Sequence, residues 1–372
     1  MAADFTAFAH TSKIERRAQK ISDPIQRLRY LRRAISSAKS PSLAWNWAAA
    51  LALAIVIVPL GTDALSRQPT ASKEFVAAAR WPATDRPVVW PVEQTSQYDL
   101  YSNGLRIENT LEISNQPRFY SLIGRGSETL GPRRWQPAGI VFHTTESDQA
   151  PFAASQKSAL KRIGQELLAY VRNKRAYHFL IDRFGRVHRI VVESDTANHA
   201  GNSVWADSQW LYLDLNASFI GVALEGRTQV DQQPINDPQL HAVKCLTEML
   251  RGKYNLPAQN CVTHAQVSVN PGNMRIGWHT DWGTGFPFKE VGLPDNYELP
   301  NPALYLFGFE YDPAYVKSTG PDLWKGLALA EERNRESAAH RGVTIAEYRK
   351  VLQQKYKEAR SALQDGSAYE EK

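Results

Sequence analysis

Three polar residues far apart in the chain, His143, His264 and Asp281, each stand where an apolar run gives way to polar loop. His143 ends Gly139-Ile140-Val141-Phe142 and His264 ends Cys261-Val262-Thr263, two short runs that read as buried strands. Asp281 follows 17 residues after His264, in Gly277-Trp278-His279-Thr280-Asp281-Trp282-Gly283. Two imidazoles and one carboxylate are the ligand set of a catalytic zinc, because three protein ligands leave a fourth position for water or substrate. The chemistry such a centre serves is hydrolysis. The two cysteines, Cys245 and Cys261, have no metal-ligand spacing. A disulfide between them and two buried free thiols are both compatible with their positions.

The elements that must hold these residues are written in the periodicities. Residues 155–172 carry Leu160, Ile163, Leu167, Leu168 and Val171 at helical spacing. Ala176 to Asp182 and Arg186 to Val192 read as two strands joined through Arg183-Phe184-Gly185, and Phe219 to Gly226 reads as another strand. Strict alternation in the first of these sets Tyr177 and His178 on opposite faces, with His178 packed in the sheet if Tyr177 faces the metal. Pro238 to Tyr254 is an amphipathic helix with Asp237 as its expected N-cap. Upstream, apolar positions around Asn103-Gly104 predict a small hairpin within 98–123. Past Pro287 the text is loop-rich until two charge-laced helices, 322–335 and 344–364, which read as a solvated cover. The fold class expected is α/β, a central mixed sheet flanked by helices.

Charge is distributed unevenly along the 372 residues. Residues 1–39 hold nine Lys or Arg against three acidic residues, which accounts for the whole net charge of +6. The rest is balanced, so nucleic-acid binding by the main domain loses its support. Ser40 to Thr62 is an uncharged stretch of 23 residues, and about 20 residues of helix cross a bilayer core. With Trp45 and Trp47 at headgroup level and the basic flank held inside, this predicts a single-pass anchor in the cytoplasmic membrane. Its N-terminus would be cytoplasmic and its catalytic domain extracytoplasmic. A buried core helix is the plainer alternative. A cleaved signal peptide fits less well, because about 40 residues precede the apolar run and no Ala-x-Ala site follows.

Five phrases in order carry a resemblance. They are Val141-Phe142-His143-Thr144-Thr145, Tyr177-His178-Phe179-Leu180-Ile181-Asp182-Arg183, Asn198-His199-Ala200-Gly201, Ile220-Gly221-Val222-Ala223-Leu224-Glu225-Gly226, and His264 with His279-Thr280-Asp281. Together they resemble the zinc-dependent N-acetylmuramoyl-L-alanine amidase family, which includes peptidoglycan-recognition proteins. The resemblance implies His143, His264 and Asp281 as zinc ligands, and Glu225, or in second place Tyr177, as general base. His279 stands where the family commonly has a basic residue, and would stabilise an oxyanion. His199 and Asn202 would bind substrate. Trp205 and Trp210 would line the groove or fill a local core.

The organisation expected is a basic segment 1–39, an anchor 40–62, a linker and small β segment 63–130, the amidase domain 131–290, and a loop and helical extension 291–372. The substrate implied is peptidoglycan or its muropeptide fragments. The rival expectation is a membrane-anchored protein that binds or senses peptidoglycan without cutting it, and the basic arm would suit anionic lipid or an intracellular partner under either.

Overall fold

A computed structural model describes residues 87–126, 130–227, 235–283 and 285–368. The basic segment 1–39 and the expected anchor 40–62 lie outside the described residues. Among the described residues no helix is long and apolar enough to cross a membrane.

An eight-stranded mixed sheet forms the centre. Its strands are β1 (Pro91–Gln94), β2 (Tyr98–Tyr101), β3 (Arg106–Glu108), β6 (Gly139–Thr144), β7 (Phe179–Ile181), β8 (Val187–Arg189), β11 (Phe219–Leu224) and β12 (Cys261–Thr263). They run in the order β1-β2-β3-β8-β7-β11-β6-β12. The four strands from β7 to β12 are mutually parallel, while β1–β2, β2–β3 and β7–β8 are antiparallel. The hairpin expected around Asn103-Gly104 joins β2 to β3, with Gly104 at φ 84° supplying the left-handed turn residue. A second sheet of β4 (Tyr120–Gly124), β5 (Leu130–Arg134), β9 (Trp205–Ala206) and β10 (Trp210–Tyr212) stands beside it, and β13 (Val269–Asn270) and β14 (Arg275–Ile276) form a short ribbon.

Every residue of β6 and of β11 is buried, as parallel strands covered on both faces require. Register assigns the faces: Val141 pairs with Gly221, and His143 with Ala223, which in turn pairs with Leu180. Helix α1 (Lys157–Lys174) covers this face through Leu167 and Val171. On the other face Phe142, Phe179, Ile220 and Val222 meet Val243, Leu246, Met249 and Leu250 of α3 (Asp237–Tyr254). The remaining helices are α2 (Leu215–Ser218), α4 (His264–Val267), α5 (Pro302–Phe307), α6 (Pro313–His340) and α7 (Ile345–Ala368).

Four expectations change. The strand expected over 176–182 shortens to β7, because Tyr177 lies at φ 63°, outside extended geometry. The cap of α3 is Asn236, not Asp237: its side chain accepts from Gln239 N, and the Gln239 side chain accepts from Asn236 N. The C-terminal helices are not a solvated cover, since Leu323, Leu327, Ala330 and Tyr356 belong to the main core. The helix expected at 322–335 is the second arm of α6, which breaks at Gly320 (φ 73°, ψ −173°) before Pro321. Of the two readings open for the cysteines, the structure has buried free thiols at Cys245 and Cys261, and burial raises the Cys261 thiol to about 12.

Candidate metal centre

The carboxyl ends of adjacent parallel strands gather the three candidate ligands. His143 is the fifth residue of β6, and His264 opens α4 directly after β12. A reciprocal capping box fixes that corner: Thr263 N–H donates to Gln266 Oε1 at 2.9 Å, and the Thr263 side chain is bonded by the Gln266 backbone. Asp281 reaches in from its loop, where Ala265 N–H donates to the Asp281 carbonyl at 3.0 Å and Gly283 N–H closes a turn onto Thr280 O at 2.7 Å. All three side chains are buried, and one donor atom from each lies within 4.8 Å of the others.

Nδ1 of His143 stands 3.1 Å from Asp281 Oδ2, and Nδ1 of His264 stands 2.9 and 3.1 Å from Oδ1 and Oδ2. Burial pushes His143 down to about 4, and His264 pushes it the same way, so the ring is neutral at pH 7. For Asp281 burial acts upward, but His264 and then His143 hold the carboxyl well below the usual carboxylate range.

Hydrogen bonding on the far side of His143 decides its tautomer. His199 Nε2 lies 3.3 Å from Phe219 O, which can only accept, so His199 carries its proton there. His199 Nδ1 is then an acceptor, 3.1 Å from His143 Nε2, so His143 Nε2–H donates to it. Burial first and neighbouring His143 second keep His199 far below its ordinary value, consistent with one proton per ring. His143 Nδ1, 3.1 Å from Asp281 Oδ2, is then the nitrogen left to meet a cation shared with the carboxylate. Separations near 3 Å are the scale of adjacent ligands around an ion with bonds of about 2 Å. The residues fit zinc, and a histidine whose other nitrogen is engaged in this way is the usual form of a metal ligand.

His199 was expected to bind substrate, but it is buried between His143 and the β11 backbone. Gly221 makes room for it, since a Cβ there would lie 2.5 Å from the His199 ring. His178 is also buried: its Nδ1 accepts from Gly221 N–H at 2.9 Å and its Nε2 lies 3.0 Å from Asp195 O. Behind both stands Arg118, 0% exposed, donating to Glu193 O at 3.0 Å, Phe219 O at 3.3 Å and Asp195 O at 3.1 Å. Burial lowers it to about 10, and no sequence signal singles it out, because it sits in an irregular stretch. It shares the Phe219 carbonyl with His199 and so braces the histidine chain.

The outer residues are arranged differently. Tyr177 is half-buried with its ring 5.1 Å from that of His143. Burial, then Asp281, raises its hydroxyl far above the ordinary value, so it keeps its proton at neutral pH. His279 is exposed and stacks on His264 at 4.4 Å and 20°. Trp278 beside it is 51% exposed. Asn202 is exposed, whereas Trp205 is a core residue whose Nε1–H donates to Asn260 Oδ1 at 3.2 Å, and Trp210 is half-buried.

Glu225 stands two residues beyond Ala223, the position in register with His143. Its carboxylate accepts from Arg183 N–H at 3.2 Å, and burial raises its pKa. It lines a cavity of about 730 Å³ with Asp182, His188, Leu168, Phe152 and Phe184, a cavity that the three cluster residues do not line.

Comparison with curated proteins found no match. Among solved structures, the amidase LysC from Clostridium intestinale URNW is similar over 50% of this chain and 93% of its own, at 20% identity and a TM-score of 0.28. AmiD from E. coli, in complex with a muropeptide substrate, is 19% identical over 53% of this chain and 65% of its own, with a TM-score of 0.32. AmpDh3 from Pseudomonas aeruginosa is 24% identical over 52% and 84%, with a TM-score of 0.35. Likenesses this slight carry nothing further. Residues 133–283 match the profile of the N-acetylmuramoyl-L-alanine amidase family, and that stretch holds all three cluster residues.

Proposed function

We propose that this protein is a zinc-dependent amidase that hydrolyses the bond between N-acetylmuramic acid and L-alanine in peptidoglycan or muropeptides. The observation that supports this reading is the buried His143, His264, Asp281 cluster, with an Nδ1 of each histidine 2.9–3.1 Å from the carboxylate, inside the stretch that matches the amidase family. When bound, zinc supplies a Lewis acid that makes water acidic enough, with a pKa near about 7, to attack an amide. His143, His264 and Asp281 hold the ion, and His199 keeps His143 in the tautomer that can do so. Tyr177, protonated and beside His143, donates to the oxygen of the amide as charge gathers on it. His279, on the open side of His264, is a second donor to the same oxygen when it carries a proton on the facing nitrogen. Glu225, its basicity raised by burial, takes the proton from water and passes it to the departing amine. His199 is better placed to position His143 than to touch substrate, and Asn202 remains the exposed residue of that loop available to the glycan.

Purified full-length protein should hold about one zinc per chain and release stem peptides bearing a new L-alanine amino terminus from peptidoglycan. Binding of muropeptides with no new amino terminus, read by mass spectrometry, would instead support the non-catalytic peptidoglycan-binding role. The anchor is a separate proposal and rests on the uncharged stretch from Ser40 to Thr62. It places the protein in the cytoplasmic membrane with the amidase domain outside the cytoplasm. Carbonate-washed membranes should retain the chain, and its recovery in the supernatant would remove the anchor.

A further inference from the structure

We propose that the first arm of α6, beyond the family stretch 133–283, is a working part of the metal centre: Tyr315 and Thr319 clamp the Asp281 loop and set how tightly the ion is held. This rests on the metal-binding reading of the cluster. Tyr315 is buried, and its hydroxyl donates to Ala265 O at 2.8 Å. The amide of that same Ala265 donates to the Asp281 carbonyl at 3.0 Å, and the residue before it is His264. The phenol thus holds Ala265, the residue through which the backbones of two candidate ligands are joined. Burial, with Asp281 adding to it, keeps the phenol protonated and so able to donate.

Both ends of the loop rest on the same helix. At Gly277, φ 91°, a Cβ would lie 2.6 Å from the Tyr315 ring, and at Gly283 a Cβ would lie 2.5 Å from Thr319 Cγ2. Tyr315 and Thr319 are four residues apart, on one helix face, so the loop lies across two successive turns. The approach is fixed by Ile276 N–H donating to Glu310 O at 2.8 Å, Glu310 N–H donating to Met274 O at 2.9 Å, and an Arg275–Asp312 ion pair. Past the break at Gly320, the second arm buries Leu323, Leu327 and Ala330 in the main core, which anchors the clamp. A ligand on a free loop must be ordered when the ion binds, whereas a ligand already held loses little entropy. Tyr315 and Thr319 are positioning residues in this sense, acting through Ala265, Gly277 and Gly283.

Zinc affinity of the full-length protein, measured by competition with a chromogenic chelator, tests this without reference to turnover. Tyr315→Phe, which removes one hydroxyl, should weaken zinc roughly tenfold, and Thr319→Ser, which removes the methyl against Gly283, should weaken it measurably in the same direction. Leu352→Ala loosens packing against Ala338 and Tyr348 instead of the loop and should leave the affinity unchanged. Wild-type affinity in both clamp variants, or an equal loss in Leu352→Ala, overturns the clamp while leaving the amidase reading intact. A wild-type protein that binds no zinc removes both.

Discussion

Asp281 and Glu225 are both buried carboxylates in the same domain, yet their surroundings drive them in opposite directions. Around Asp281, two imidazoles at 2.9–3.1 Å overcome the cost of burial and keep the carboxylate ionised. Around Glu225, burial leads, and the Arg183 amide with the nearby arginines offsets only part of it. Burial penalises either charge; what differs is whether a neighbour compensates. Two carboxyls separated in this way suit two tasks, one holding a cation and one exchanging a proton.

The contrast is broken most severely at Asp281. Asp281→Asn keeps the shape and removes the charge, so zinc affinity should fall by more than about a hundredfold and amidase activity should disappear with it. Zinc still bound at wild-type strength after dialysis would mean that Asp281 is no ligand. At Glu225 the metal should survive. Glu225→Gln should retain zinc while kcat falls on the order of 10²–10⁴-fold, and an unchanged kcat would take the proton-transfer role away from it.

The smallest effect is on stability. His143, His178 and His199 all have folded-state pKa values below the ordinary imidazole value, His143 at about 4. Between about 6.5 and 4 the unfolded chain binds protons that the folded chain does not, so stability is highest above about 6.5 and falls as the pH drops. For the chelated protein the His143 share of that loss is on the order of 3 kcal/mol. A melting temperature that stays flat from pH 7 to pH 4.5 would contradict the buried neutral histidine chain.

His143 and His264 were legible because each follows a buried apolar run, and a polar residue at the end of a buried strand has few dull explanations, whereas Asp281 lies in a loop and was marked by the His279-Thr280-Asp281 phrase. Periodicity also found α1 and α3, whose apolar stripes face the sheet. Alternation failed at Tyr177, because a left-handed residue breaks the two-residue repeat without leaving a glycine to mark it. Helical periodicity also fell short at α6, where Gly320-Pro321 reads as a helix start although the arm Pro313–Thr319 precedes it.

By itself, the sequence determined the mixed α/β architecture, the candidate ligand set of His143, His264 and Asp281, and the two helices nearest the sheet, since these follow from patterns of residue type. Only tertiary structure decided the contact of His143 with His199, the bracing by Arg118, and the seat that Tyr315 gives the Asp281 loop. Each of those depends on a hydrogen bond between residues separated widely along the chain. Neither the partner nor the direction of such a bond is encoded in the neighbours of either residue, so it comes into being only when the backbone brings the two together.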